Sequence, residues 1–478
     1  MLEKLFHLSK HKTNVKTEVI AGFATFMTMA YIIALNPNII VGQEGSSELW
    51  NAVFLATVLS AAVGTLLMAF LANKPFGLAP GMGLNTYFAS VTLSIAATAK
   101  ISYDEAFQGT LVIILISGIL FTLLTLFKIR EKIVDAIPAN VRLGITAGIG
   151  LMLVHVGLTS NAYIYNSDFT KSFTILGFFT SGAKDTSLAM AEAGASYGTL
   201  ILYIITFFIG LFAIVILNQK KVKGSILYGI LIASAVYFAG SLIFLHVNPF
   251  ESLFAEGTSY LPPFADLIEK SFFKFNFETL FQLGFFTTIM TIISFCLVDM
   301  FDTIGSLLGT ASKANMLDEN GRLENMNKAM LSDSVATIIG ACTGTSTVTT
   351  FVESAAGVEE GGRTGLTSVV TGLCFLVCIF LAPVAKIIPA PATSAALVFV
   401  GVLMISSLKE VDYSDFAASV PVVLMATFMM ITSSIGSGIG IGLVSYSIIK
   451  LLTGRAKEVS LLTIFLSFIF VAKFFLIF

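Results

Sequence analysis

The sequence predicts an all-α polytopic membrane protein, with about fourteen transmembrane spans arranged as two inverted repeats of about seven. Three observations carry this expectation. Of 478 residues, 56% are apolar and only 12% are charged, against roughly 25% charged and 45–50% apolar in soluble domains. Apolar runs of about 20 residues, the length that crosses a hydrocarbon core, recur from end to end. Pieces of the first half also recur in the second. The composition excludes a soluble enzyme. A net charge of −2 without a long basic run excludes a nucleic-acid binder.

Taken in order, the runs lie at 18–41, 51–72, 81–98, 107–127, 133–157, 197–217, 224–246, 281–307, 328–343, 348–358, 365–384, 391–408, 414–431 and 436–453. Glycine, proline or charge separates them. Before the first run come Lys4, Lys10, Lys12 and Lys16 but no apolar core ahead of Val19, so no cleavable signal is expected. A further run, 459–477, follows Arg455 and Lys457 and is expected to lie flat, re-enter or span. With the N-terminus inside, 18 lysines and arginines fall in inside loops, among them Lys128, Arg130, Lys132, Lys313 and Arg322. Six fall outside: Lys100, Lys171, Lys184, Lys270, Lys274 and Lys386. That asymmetry orients a multi-pass protein of the plasma membrane with a cytoplasmic N-terminus. Residues 158–196 and 247–280 read as long outside loops, each too short for a domain. LDENGRLEN (317–325) lacks calcium-ligand spacing, and Asn320-Gly321 reads as a turn. The expected organisation is a first repeat over 1–247, a connecting loop over 248–280, a second repeat over 281–453 and a hydrophobic tail over 454–478.

The repeat is visible in short matches. FATFMT (23–28) recurs as FTTIMT (286–291), a register that sets Asn36 opposite Asp299. IPANVRLGITAGIGLM (137–152) recurs as IPAPATSAALVFVGVL (388–403), which sets Gly150 opposite Gly401. An odd number of spans per half turns the second copy upside down, as in many secondary transporters. The third and tenth spans hold matching places and are both irregular. LAPGMGLNTYFA (78–89) carries Pro80, Gly81 and Gly83, which spoil a helix; GTSTVTTFVESAAG (344–357) carries a β-branched run over Thr345–Thr350 that favours extended chain. Broken backbone at membrane depth survives only where protein buries it or where it lines a cavity. Paired interruptions therefore point to a transport site.

Candidate residues follow from cost. A charge at the bilayer centre costs about 2.5–3.5 kcal/mol even on a lenient scale, so Glu353 in the broken tenth span is expected to bind a ligand or an internal partner. Asp299 and Asp302 stand three apart in LVDMFDTIG (297–305) and share a helical face. Two carboxylates that close in a low dielectric do not both ionise easily, which makes the pair a candidate proton carrier. Asn85 is either interhelical glue or a substrate donor and acceptor. Tyr87 and Phe351 are candidates to stack on a flat ligand, against the commoner role of packing. EEGGRTG (359–365) is not a phosphate-cradling loop, because no Gly-Lys-Ser/Thr follows. From the residues alone, the reading is a secondary transporter for a small solute. A channel, an intramembrane aspartyl enzyme and an anion exchanger of the same inverted fold are the alternatives.

At these residues the chain resembles the nucleobase–cation symporters of the xanthine/uracil permease group, and within it the AzgA-like purine branch. The resemblance runs from TEVIAGFATFMTMAYIIALNP (17–37) through LAPGMGLNTYFA and LVDMFDTIGSLLG (297–309) to GTSTVTTFVESAAGVEEGGRTGLT (344–367) and IPAPAT (388–393). It implies fourteen spans split into a core domain and a gate domain, the gate being spans five to seven and twelve to fourteen. It also implies short strands in the broken spans. Carried over, the eighth-span acid falls on Asp299 and the tenth-span acid on Glu353, with Asp302 the second acid of the eighth-span motif and Asn85 the polar residue of the third. Ser354 and Gly357 follow the purine branch, whereas the xanthine/uracil relatives place Asn and then Gly after the acid. The implied substrate site is Glu353, Asp299, Asn85, Phe351, Tyr87 and Ser354, with Asp299 and Asp302 in proton coupling. The implied activity is import of hypoxanthine, guanine or adenine with a proton as coupling ion and no cofactor or metal. The partners are then the purine and membrane lipid, not nucleic acid; a homodimer is compatible with the reading.

Overall fold

Backbone in hydrocarbon has no water to bond, so a chain this apolar must satisfy its own N–H and C=O groups, and helices do so locally. The computed structural model describes residues 2–42, 45–127, 139–161, 197–254, 259–313, 316–317 and 323–476. Lys128, Arg130, Lys132, Lys171, Lys184 and Arg322, nearly all of the 158–196 loop, the start of the 137–152 repeat and most of the 317–325 turn lie outside the described residues. The described parts of the apolar runs are largely helical, with the strand Leu78–Pro80 just ahead of the third run and Val348–Thr350 opening the tenth. Among the described residues, ten helices are long and apolar enough to cross a membrane, with shorter apolar helices at Phe416–Thr432 and Leu461–Ala472. Met82–Ala99 and Met326–Thr343 are not among the ten. Their buried faces carry Asn85, Thr86 and Thr92 in the one and Ser332, Asp333, Ser334 and Thr337 in the other, which lowers their hydropathy.

Local chemistry sets the ends. Asn14 Oδ1 accepts from Thr17 N–H at 3.0 Å to start Val15–Met29, and a reciprocal Ser102–Glu105 box starts Tyr103–Leu126. Buried Glu18 accepts the N–H groups of Arg363, Thr364 and Thr367 at 2.9, 3.3 and 3.1 Å. A carboxylate there meets the positive end of the Gly365–Val377 helix, tying the first span to the eleventh.

The helices pack in two groups. Val15–Met29, Ser47–Leu67, Tyr103–Leu126, Met326–Thr343 and Gly365–Val377 pack together, whereas Ala139–Val156 packs on Ala390–Ile405, Phe416–Thr432 and Ile435–Leu452. Within the second group Gly150 and Gly401 meet. A Cβ on Gly150 would stand 2.6 Å from the Gly401 carbonyl oxygen, and one on Gly401 would stand 2.6 Å from that of Gly150. Such reciprocity is what two residues beside a two-fold axis make, and these are the residues that the sequence repeat sets opposite each other.

Between the breaks lies a two-stranded antiparallel ribbon. β1 (Leu78–Pro80) pairs with β2 (Val348–Thr350), with Ala79 opposite Thr349. The pairing continues one residue beyond each end, Phe351 N–H donating to the Gly77 carbonyl and Gly81 N–H to that of Thr347, both at 3.0 Å. An open strand edge in a membrane is untenable, and side chains close both edges here. Thr65 Oγ1 accepts from Leu78 N–H at 2.9 Å and donates to its carbonyl at 3.0 Å. On the other edge, Asp333 Oδ1 accepts from Thr350 N–H at 2.8 Å, and Thr337 Oγ1 lies 3.2 Å from the Val348 carbonyl. The β-branched stretch is thus extended over Val348–Thr350, a shorter strand than the whole Thr345–Thr350 run.

Candidate functional site

The ribbon ends at a cavity of about 340 Å³ between the two helix groups, within the size range of small-molecule sites. One wall comes from the breaks and the eighth span: Gly81, Met82, Gly83, Asp302 and Thr349 to Glu353, with Tyr31. The facing wall comes from the other group: Thr146, Val400, Leu403, Met404, Ser407 and Glu410.

Glu353 stands just past β2, where the backbone turns from strand to helix through Val352–Ser354. The first span fixes it twice. Tyr31 O–H donates to Glu353 Oε1 at 2.8 Å, and Thr28 Oγ1 donates to the Glu353 carbonyl at 3.1 Å. Oε2 is left without a side-chain partner among the described residues, and Glu353 lines the cavity. Phe351 and Asp302 line the same space. Gly81 precedes the Met82–Ala99 helix and supplies no side-chain cap, so the first N–H groups of that helix are donors at the cavity edge. A Cβ on Gly81 would come 2.9 Å from Thr349 Cγ2; glycine lets this turn approach β2.

The other sequence-derived residues lie one layer back. Buried Asp299 sits 2.7 Å from Thr337 Oγ1 through Oδ2, while its Oδ1 has no partner among the described residues. Asn85 Oδ1 accepts from Ser346 Oγ, and Asn85 Nδ2 donates to the Pro80 carbonyl at 3.3 Å. Ser354 Oγ accepts from Gly77 N–H at 2.9 Å. Asn85, which follows β1, thus holds Ser346 two residues ahead of β2, and Ser354, which follows β2, holds Gly77 directly ahead of β1. Tyr87 packs against Phe295, ring centroids 4.6 Å apart. The structure therefore brings Glu353, Phe351 and Asp302 to the cavity, and sets Asp299, Asn85, Ser354 and Tyr87 into its supporting shell.

Sequence reasoning missed Tyr31 and Asp333. Asp333 is fully buried and accepts three hydrogen bonds, from Thr350 N–H and Oγ1 at 2.8 Å each and from Thr303 Oγ1. An acid inside an apolar run is the same signal that singled out Asp299. Tyr31 falls where the first run breaks into Val15–Met29 and Ile32–Val41, a break that apolar content alone conceals. Among the described residues, no group of three or more His, Cys, Asp or Glu side chains is arranged to hold a metal ion.

Comparison with known proteins gives the family and the fold. Residues 16–443 match the xanthine/uracil model described as "Permease family". The adenine permease AdeQ of Escherichia coli is 36% identical over 477 residues, covering 100% of this chain and 96% of its own. The guanine/hypoxanthine permease PbuO of Bacillus subtilis is 34% identical over 478 residues, covering 99% and 100%. Among solved structures, the transmembrane domain of a cyanobacterial bicarbonate transporter, BicA, superposes with a TM-score of 0.60 at 15% identity, covering 90% of this chain and 97% of its own; it shares the fold. The chain belongs to the xanthine/uracil permease family and is related to its purine permeases.

Proposed function

We propose that the chain imports purine nucleobases (guanine, hypoxanthine or adenine) across the plasma membrane by proton symport with alternating access, its N-terminus in the cytoplasm. It is a membrane permease by family. Glu353 carries the reading: a carboxylate held by Tyr31 at the broken tenth span, with one oxygen left to accept from a ligand. A purine offers ring and exocyclic N–H groups to it, and a charge-assisted bond there is strong. Asp302 is a second acceptor, the open start of the Met82–Ala99 helix donates to a carbonyl or ring nitrogen, and Phe351 covers a ring face. An anion would meet the carboxylates of Glu353, Asp302 and Glu410 in the same space. Ser354 and Gly357 after Glu353 favour the AzgA-like branch within the family.

Asp299 supports the proton. One Thr337 hydroxyl hydrogen serves both Asp299 Oδ2 and the Val348 carbonyl, and Asp299 Oδ1 has no donor among the described residues. A proton on Asp299 would supply the missing donor, with Asp302 beside the substrate as its relay. The first helix group is then the core and the second the gate, in two inverted repeats over 1–247 and 281–453, joined by 248–280 and followed by the 454–478 tail. The decisive measurement is uptake in cells stripped of their own nucleobase permeases. Saturable uptake of hypoxanthine, guanine or adenine that excess uracil leaves unchanged is expected; uracil uptake without purine competition overturns the reading. Glu353→Gln replaces an acceptor with a donor and is expected to weaken binding about 10- to 100-fold.

A further inference from the structure

A second cavity, of about 240 Å³, opens where the N-terminal segment folds against the links beside the broken spans. Its wall is charged: Lys10, Lys12, Lys74 and Arg363 line it with His11, and Glu324 is the single carboxylate among the described lining residues. Lys74 is only 2% exposed, and its ammonium has no hydrogen bond or ion pair among the described residues. Glu324 instead lies 3.6 Å from exposed Lys10. Arg363 spends Nη1 on the Val358 and Gly362 carbonyls, both at 2.7 Å, which leaves Nε and Nη2 for another acceptor.

The walls are held in place. Asn73, just before Lys74, donates to the Phe6 carbonyl at 3.1 Å and accepts from Gly365 N–H at 2.8 Å. The Lys74 carbonyl accepts from Ser368 Oγ at 2.7 Å. Phe6 and Leu8 are buried against Leu366, which anchors the segment that carries Lys10 to Lys12. Fixed walls remove much of the ordering cost of binding.

A buried ammonium without a partner among the described residues is costly, and among the described lining residues four cations around one carboxylate leave a surplus that a monocarboxylate would not balance. Burial pushes the Lys74 ammonium below the ordinary lysine range, opposed by Glu324 and assisted by Lys10; a bound anion reverses that push. Tetrahedral phosphate oxygens suit the combination of arginine fork and lysine point charges. We propose that this cavity binds a phosphate-type dianion, carried either by a free phosphorylated solute or by an anionic lipid headgroup, and that the ligand pins the N-terminal segment to the links of the two broken spans.

The test is thermal unfolding of the purified full-length protein at fixed ionic strength, with inorganic pyrophosphate as the probe. A saturable rise in melting temperature is expected. Lys10→Ala/Lys12→Ala, at exposed positions, should raise the half-saturating concentration about tenfold or more, and Lys74→Met should abolish the rise. Lys220→Ala/Lys221→Ala removes the same charge elsewhere and should leave the shift unchanged. Nanodiscs distinguish the sources. A headgroup ligand makes the protein melt higher with phosphatidic acid, a phosphomonoester lipid, than with phosphatidylcholine alone, through Lys10 and Lys12; a free solute makes lipid composition irrelevant. Absence of both shifts, or equal losses in the two double variants, overturns the proposal.

Discussion

Tyr31 contributes one hydrogen bond, but it goes to Glu353, the carboxylate proposed to carry substrate binding. Tyr31→Phe keeps the ring and removes the donor; substrate affinity should fall about tenfold, in line with the 1.5–3 kcal/mol of a bond to a charged group, as measured by binding to purified protein. Asn36 is a purely internal case. Its Nδ2 donates to Thr57 Oγ1 at 2.6 Å and to Thr345 Oγ1 at 2.9 Å, all buried. Asn36→Ala should destabilise by roughly 1–3 kcal/mol, read as a lower melting temperature. Single residues were legible in the sequence where cost exposed them: an acid deep in an apolar run is improbable without a role, so Glu353, Asp299 and Asp302 stood out. The direction in which a side chain points was not legible. Asn85 reads equally as glue or as substrate contact until Ser346 is seen against it.

The ribbon is the element on which the site depends, and its edges are closed by side chains rather than by further strands. Thr65→Val keeps the shape of the side chain but orphans both Leu78 backbone groups, at roughly 1–3 kcal/mol for a buried unsatisfied group; denaturation in detergent should register the loss. At the far end of the chain, buried Lys450 pairs with Asp415 at 2.9 Å and Glu458 at 2.8 Å, and Arg455 bridges the same carboxylates. Lys450 first, then Arg455, hold the Asp415 carboxyl below the usual carboxylate range; Arg455 first, then Lys450, do so for Glu458. Depressed folded values mean that this stabilisation is full above the unfolded carboxyl range of about 4 and is lost as pH falls through the lower folded values. Melting temperature should therefore decline on acidification below about pH 4, less steeply in Asp415→Asn/Glu458→Gln than in the wild type. Elements of this kind were legible as apolar runs and breaks. The strand's true length was not, because it is set by which partners across the ribbon reach it.

For the molecule as a whole, coupling is the property to measure. Uptake should rise as external pH falls and collapse with a protonophore; uptake that requires sodium and ignores the protonophore removes Asp299 from the coupling role. The two-copy architecture was partly legible, since short matches placed Gly150 opposite Gly401 and the fold packs them reciprocally. The cavity was not, since much of its facing wall is apolar, as at Val400, Leu403 and Met404, and no sequence pattern sets Thr146, Ser407 and Glu410 opposite the breaks. The ribbon also sets a timetable for biosynthesis. Pro80 and Val348 are partners 268 residues apart, so at about 5–20 residues per second the nascent first strand waits tens of seconds for its mate. It is prepared to wait: Thr65 already serves both Leu78 groups and Asn85 the Pro80 carbonyl. Only the groups facing β2 stay open, and the insertion machinery must shield those until the second half emerges from the ribosome.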